Sequence, residues 1–173
     1  MSQGDNQTHT ITLKNSEFIP HIIKLLEEGH TVKLMLRGVS MRPFLEDRRD
    51  VGLLTKVTHI KVGEPVLAET RPGHFVLHRI VKVVGNQVIL RGDGNLACEV
   101  CTINDIRANV IGFYRKGRTK LDRIDGWKWR AYSWIWTRLL PVRRYLLWVI
   151  KGVKGVKGVK EVKGVKGVKK LRS

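Results

Sequence analysis

Residues 74–91 constrain the fold of this chain most strongly, because their pattern alone predicts a β-hairpin. Two runs rich in valine, isoleucine and leucine, 74–84 and 87–91, are separated only by Gly85-Asn86. A Gly-Asn pair between two such runs is typical of a tight two-residue turn. The segment therefore predicts two adjacent antiparallel strands with a fixed register.

Further short strands are predicted where apolar and polar residues alternate between turn signals. They are residues 31–37, 51–57, 65–69 and 108–115. The one helix predicted in this region spans Ser16 to Glu28, where isoleucines and leucines recur at helical spacing before Gly29. We therefore predict a mainly β fold: a bent, barrel-like antiparallel sheet with an N-terminal helix and a C-terminal helical appendage.

The distribution of charge divides the chain into parts. Residues 1–114 hold 14 Lys and Arg against 12 Asp and Glu, whereas residues 115–150 hold 10 against 2 and residues 151–173 hold 9 against 1. Nearly all of the net charge of +18 thus lies in the last third. We predict a β domain at 1–120, a Trp/Arg-rich helical segment at 121–150 and a disordered basic tail of Gly-Val-Lys repeats at 151–173.

The C-terminal third predicts an anionic partner. Its five tryptophans interspersed with arginines are typical of a membrane–water interface, and its basic tail favours anionic lipid. A helix packed on the β domain with a solvated tail explains the same residues, and nucleic acid is the less favoured partner. The polar N-terminus lacks the pattern of a signal peptide, and no apolar run of about 18 residues predicts a membrane span. We expect a peripheral membrane-associated or cytoplasmic protein.

A candidate nucleophile lies in the segment R-G-V-S-M-R-P-F-L, directly after a predicted strand. Gly38 and Pro43 favour a sharp turn that presents the hydroxyl of Ser40, with Val39 and Met41 beside it. A serine nucleophile needs a base to take its proton and N–H groups to hold the oxyanion. On its own, a serine between glycine and proline is more often a structural turn residue.

A candidate base lies in the first strand of the predicted hairpin. His78 shares a strand face with Val76 and Ile80, which points it toward the apolar side, where histidines are commonly structural. His74 is about 13 Å away along the strand, too far for the two rings to share one metal ion. The Cys-x-x-Cys pair at 98–101 has no second ligand pair, so we predict neither metal nor cofactor.

Asp93 follows the second strand of the hairpin, in R-G-D-G-N. Aspartate among glycine and asparagine is ordinarily a turn residue. Because the two hairpin strands are neighbours, the carboxylate has a second possible role. It could orient the imidazole of His78 and stabilise its protonated form.

Together these segments resemble the signal peptidase I and LexA-like serine peptidases. G-V-S-M-R-P-F-L is similar to their nucleophile box, H-R-I resembles the base segment of the histidine-type signal peptidases of the endoplasmic reticulum and archaea, and R-G-D-G-N resembles their G-D-x-N box. The matching stretch, residues 36–95, is about a third of the chain. The resemblance implies a serine endopeptidase that binds a polypeptide in extended form, with Ser40 as nucleophile, His78 as base and Asp93 as acid.

The chain departs from this family in the strand after the serine box. Members usually have G-D-V-V there, whereas this chain has Arg49 in place of the glycine and Gly52 in place of the last valine. Two other functions therefore stay open: a peptidase-like module that binds without cutting, and a basic membrane or nucleic-acid adaptor in which Ser40 and His78 are incidental. The chain contains no Ala-Gly dipeptide, which favours processing of another polypeptide over self-cleavage.

Overall fold

The computed structural model describes residues 15–138, together with Tyr145 and Trp148. In this part of the chain, two helices flank a β-sheet. The helices are α1 (Asn15–Glu27) and α2 (Trp127–Arg138). The strands are β1 (Val32–Met35), β2 (Val51–Thr55), β3 (Pro65–Arg71), β4 (His74–Val84), β5 (Gln87–Arg91), β6 (Glu99–Thr102), β7 (Ile106–Tyr114) and β8 (Leu121–Arg123). A 3-10 helix, Ile103–Asp105, joins β6 to β7.

The strands form one antiparallel sheet that is bent and not closed, which confirms the predicted mainly β fold. The strand order is β1-β2-β7-β3-β4-β5-β6, and β8 pairs with the end of β7. Shifts of register interrupt the pairings β2–β7, β3–β4, β3–β7 and β4–β5. Bulges of this kind bend a strand and increase its twist, which explains the curvature of the sheet.

The hairpin at 74–91 has the boundaries that the sequence predicts. β4 and β5 pair antiparallel, with Val84 opposite Gln87 across the turn. Gly85 in this turn has a φ of +56°, a conformation that glycine adopts without steric cost. The predicted N-terminal helix and the remaining predicted strands of the β domain also begin and end within two residues of their expected positions.

The sequence does not predict β6 or β8. β6 lies in a segment expected to be a turn and a polar stretch, and it extends the sheet by pairing with β5. β8 pairs with residues 112–114 of β7, so the sheet continues past the predicted domain boundary at residue 120. The helix predicted between residues 121 and 150 forms at Trp127–Arg138. Pro141 and the tail at 151–173 lie outside the described residues.

Two apolar clusters lie on opposite faces of β4. The first is formed by α1, β2, the segment after Ser40, β7 and α2, and its buried members include Ile22, Leu26, Leu45, Leu54, Phe113 and Trp129. The second includes Val66, Ala68, Ile80, Val88 and Leu90. Each fully buried side chain of this size contributes about 1.5–3 kcal/mol to folding. Since both faces of β4 are covered, its successive residues His78 and Arg79 are both buried, at 3% and 5% exposure.

None of the described helices combines the length and apolar character that crossing a bilayer requires.

Candidate active site

Ser40 lies in a turn that follows β1. Two residues earlier, Gly38 has a φ of +93°, and its N–H donates to the carboxylate of Asp47 at 2.7 Å. The N–H of Arg42 donates to the carbonyl oxygen of Val39 at 3.1 Å, which closes the turn around Ser40. The glycine at position 38 is therefore required by the backbone itself, because other residues rarely adopt a positive φ.

The residues after Ser40 anchor this turn to the first apolar cluster. Met41, Phe44 and Leu45 are buried, whereas Val39, on the other side of Ser40, is exposed. Pro43, in a cis peptide bond with Arg42, lies between the buried residues. The buried residues after Ser40 thus anchor the turn in the apolar cluster, while Ser40 itself stays partly accessible to solvent.

The loop Gly92–Gly94 lies directly against the Ser40 turn. The N–H of Gly94 donates to the carbonyl oxygen of Ser40 at 2.6 Å. A Cβ atom on Gly94 would come within 2.8 Å of the carbonyl oxygen of Val39, and one on Gly92 would collide with the carbonyl oxygen of Ser40. Only glycine fits at these two positions, because the two backbones touch there. The fold therefore joins two of the three segments that the sequence singles out.

His78 approaches the Ser40 turn at the same point. The position that a Cβ on Gly92 would occupy lies 3.0 Å from Nε2 of His78 and 3.0 Å from Cβ of Ser40. Those two atoms are consequently no more than twice that distance apart. The candidate nucleophile and the candidate base thus line one small space, whose floor is Gly92.

Burial sets the protonation state of His78. Desolvation lowers the pKa of the imidazole below its ordinary value of 6.5; the negative charges of Glu99 and Asp93 raise it, and His74 lowers it slightly. The net direction is downward, so the ring is neutral at pH 7. A neutral imidazole is the form that accepts a proton from a hydroxyl group.

Glu99, on β6, faces the other nitrogen of the imidazole. Its Oε2 atom lies 3.8 Å from Nδ1 of His78. Both atoms are buried, and neither has a hydrogen-bond partner among residues 15–138. A movement of about 1 Å would bring them to hydrogen-bond distance. A carboxylate at this place favours the tautomer with its proton on Nδ1, which leaves Nε2 free to act as a base.

Asp93, the acid that the resemblance implies, is bonded to Arg79. Nε of Arg79 donates to Oδ1 at 3.0 Å, and Nη2 donates to Oδ2 at 2.8 Å. Both side chains are buried, and removing one partner of such a pair costs about 3–5 kcal/mol. The charge of Asp93 acts on His78 through space, where it raises the pKa of the imidazole. Its predicted role in orienting His78 stays a prediction.

Helix α2 covers the pair of Arg79 and Asp93. The hydroxyl of Tyr132 donates to Oδ2 of Asp93 at 3.3 Å, and Nε1 of Trp136 donates to its carbonyl oxygen at 3.2 Å. Nη1 of Arg79 donates to the hydroxyl oxygen of Ser133 at 2.6 Å. The C-terminal helix therefore holds the loop that in turn holds Ser40.

Asp50 fixes the far end of the segment that follows Ser40. Its buried carboxylate accepts hydrogen bonds from the side chain of Arg49 and from the backbone N–H groups of Glu46 and Lys116. Burial alone would raise the pKa of Asp50, but these hydrogen bonds outweigh it and hold the pKa below its ordinary value. Arg49, the departure from the family pattern, thus has a structural partner in this chain.

A small cleft of about 40 Å³ opens beside Ser40. Its apolar lining comes from Leu36, Met41, Leu45 and Leu77. Among the described strands, β1 pairs only with β2, so its other edge is available to an extended peptide. Addition of a strand at such an edge, with side chains in adjacent pockets, is a general way to bind polypeptides.

The sequence pattern does not predict the site roles of Glu99 and Arg79. Glu99 is overlooked because β6 is not predicted, although alternation in E-V-C-T, with Cys101 on the apolar side, is a faint strand signal. Arg79 enters the sequence argument only as part of H-R-I. Its salt bridge with Asp93 depends on the tertiary structure, which the sequence pattern does not show. Cys101 itself is buried, which raises the pKa of its thiol to about 11 and leaves it unreactive at neutral pH.

No protein-family model matches this chain, and no curated protein matches it significantly. Any functional assignment therefore depends on the geometry of the site and on the three sequence segments.

Proposed function

We propose that this chain is a serine endopeptidase that cleaves a precursor or leader peptide by acyl transfer. Ser40 is the nucleophile and His78 is the general base. The observation that carries the proposal is that Gly92 lies beside both groups: a Cβ added to Gly92 would lie 3.0 Å from Cβ of Ser40 and 3.0 Å from Nε2 of His78. A buried neutral imidazole beside a hydroxyl in a tight turn is the arrangement that activates serine.

The reaction follows from these two groups. Oγ of Ser40 attacks the peptide carbonyl carbon while Nε2 of His78 takes the hydroxyl proton, which produces a tetrahedral oxyanion. Collapse of this species breaks the peptide C–N bond, and the imidazolium returns the proton to the departing amine. Water, deprotonated by His78, then hydrolyses the ester on Ser40 and releases the acid product. By the resemblance, the N–H of Ser40 holds the oxyanion.

Two carboxylates support the base in this mechanism. Glu99 lies 3.8 Å from Nδ1 and is placed to fix the tautomer, while the charge of Asp93 favours the imidazolium from a greater distance. Proton transfer from Ser40 makes His78 positive, so both negative charges stabilise the transition state more than the ground state. We propose that Glu99 orients the imidazole, a role that the sequence-based prediction gives to Asp93, and that Asp93 also holds the loop through Arg79.

The substrate binds in an extended conformation along the free edge of β1. The small cleft beside Ser40 is lined by leucine and methionine side chains together with Arg37 and Glu46, which suits a small apolar residue before the scissile bond. A small residue there is what the resemblance implies. Because the loop Gly92–Gly94 packs against the backbone of Ser40, the turn is fixed and the substrate must approach it.

Mass spectrometry of candidate precursor peptides incubated with the full chain tests the proposal. Cleavage is expected with the wild type and with the His30→Gln control, in which an exposed histidine is changed. Ser40→Ala is expected to lose cleavage while remaining folded, since Ser40 accepts the hydrogen bond from Gly94 through its backbone carbonyl. His78→Gln is expected to lose cleavage as well, and circular dichroism checks that this variant is folded. Cleavage retained by Ser40→Ala would end the proposal. Labelling of Ser40 by a serine-reactive probe excludes the non-cutting module.

A further inference from the structure

Helix α2 buries one side against the β domain and exposes the other. The buried side consists of Trp129 and Trp136, with Tyr132 and Ser133 partly covered. On the other side, Trp127 and Trp134 are 75% and 62% exposed. These two tryptophans are seven residues apart, which is two turns of a helix with about 3.6 residues per turn, so they lie on one line.

One cation lies near each of these two exposed indole rings. Nζ of Lys128 lies 5.9 Å from the ring centre of Trp127, and the guanidinium of Arg138 lies 5.2 Å from that of Trp134. Arg130 is exposed as well, and α2 contains no acidic residue. We define the outer face of α2 as six residues: Trp127, Lys128, Arg130, Trp134, Ile135 and Arg138.

We propose that the outer face of α2 docks on the anionic lipid surface of a membrane. Indole rings beside lysine and arginine are the mixture that occupies the membrane–water interface, where the ring enters the headgroup region and the cation meets phosphate. Ile135, which is 49% exposed, adds an aliphatic group that lipid can cover.

The charge of the outer face distinguishes between three candidate partners: a second copy of this chain, a nucleic acid and anionic lipid. A second copy of this face would place its own cations against Lys128, Arg130 and Arg138. The face has no acidic residue to neutralise them, so the two copies would repel each other. A nucleic acid would satisfy the cations but would leave the aliphatic side chain of Ile135 without an apolar partner. Anionic lipid satisfies both, since it presents phosphate above acyl chains.

The docking is peripheral. The opposite side of α2 is held to the β domain by hydrogen bonds from Tyr132 and Trp136 to Asp93, so the helix lies along the membrane plane. Residues 139–173 carry 11 Lys and Arg against one Glu, and each cation close to an anionic surface adds about 1 kcal/mol of attraction. This inference goes beyond the proposed peptidase activity and does not depend on it.

Flotation of the full chain with lipid vesicles tests the docking. Vesicles of phosphatidylcholine alone are compared with vesicles that also contain about 30% phosphatidylglycerol. The wild type is expected to float only with the anionic vesicles. The double variant Trp127→Ala/Trp134→Ala is expected to bind them about tenfold or more weakly, since two indoles no longer enter the interface. The control Val62→Ala/Val84→Ala, which changes two exposed residues of the β domain, is expected to bind as the wild type.

Three results would overturn the docking. One is unchanged anionic-vesicle binding of the double tryptophan variant, which would assign all affinity to the basic tail. Another is equal binding of the wild type to neutral vesicles. The third is that the tryptophan changes weaken the binding of a DNA duplex but leave the binding of anionic vesicles unchanged. If the double variant does not fold, wild-type tryptophan fluorescence with brominated-chain lipid decides: quenching is expected, and its absence contradicts the proposal.

Discussion

Replacement of Gly92 by alanine tests whether the site is built around the contact of two backbones. The added methyl group would collide with the carbonyl oxygen of Ser40 and stand 3.0 Å from both Cβ of Ser40 and Nε2 of His78. Ordinary contact begins near 3.4 Å, so the turn and the imidazole must both retreat. Overpacking of this kind costs about 1–3 kcal/mol of unfolding free energy. A displacement of about 1 Å between reacting groups lowers the rate by about 100-fold.

Urea unfolding and the rate of labelling of Ser40 by a serine-reactive probe measure the two effects. Gly52→Ala is the matched control, because a Cβ there meets its nearest neighbours at 3.5 Å, an ordinary contact. We expect Gly92→Ala to unfold at lower urea and to label about 100-fold more slowly, with the control close to wild type. A Gly92→Ala protein with wild-type stability and labelling rate would refute the packing of this loop on the Ser40 turn.

Further predictions concern the titrating groups around the site. Because burial lowers the pKa of His78, labelling of Ser40 is expected to rise through a pKa below 6.5 and to be constant at neutral pH; a rise only above about pH 9 would indicate a lysine such as Lys82 as base. Glu99→Gln is expected to slow labelling about tenfold with little change in urea stability, whereas Asp93→Asn is expected to cost about 3 kcal/mol of stability. An Asp93→Asn protein of normal stability but without labelling would give the orienting role to Asp93 instead. The pKa of Asp50 is lower in the folded than in the unfolded chain, so its stabilisation is complete well above pH 3.8 and is lost as the pH falls through the folded value. Asp50→Asn is expected to remove this acid dependence from the urea midpoint, and an unchanged dependence would contradict it.

Most of the sheet could be predicted because its strands carry their own signals. β4 and β5 have long apolar alternation and a Gly-Asn turn, so their boundaries follow from local rules. β6 and β8 have only four and three residues, and their pairing depends on β5 and β7 being already in place. Short edge strands of this kind are decided by tertiary context, which a local pattern does not contain.

The site could be predicted only as far as its segments could be recognised. Ser40 and His78 lie in the two segments that resemble the family motifs, and the fold brings both residues close to Gly92. The partner of Asp93 could not be predicted, because Arg79 is buried only once α2 covers that face of β4. Glu99 lies near His78 because it belongs to β6, a strand that the sequence pattern does not predict.

Mapping the residue that a serine-reactive phosphonate modifies is the most direct test of whether His78 activates Ser40. The probe is applied to the folded full chain, and the adduct is located by mass spectrometry. We expect a single adduct on Ser40, formed about 100-fold more slowly in His78→Gln and at the wild-type rate in His30→Gln. Absence of an adduct on Ser40, or an equal rate in His78→Gln, would contradict a hydroxyl activated by this imidazole.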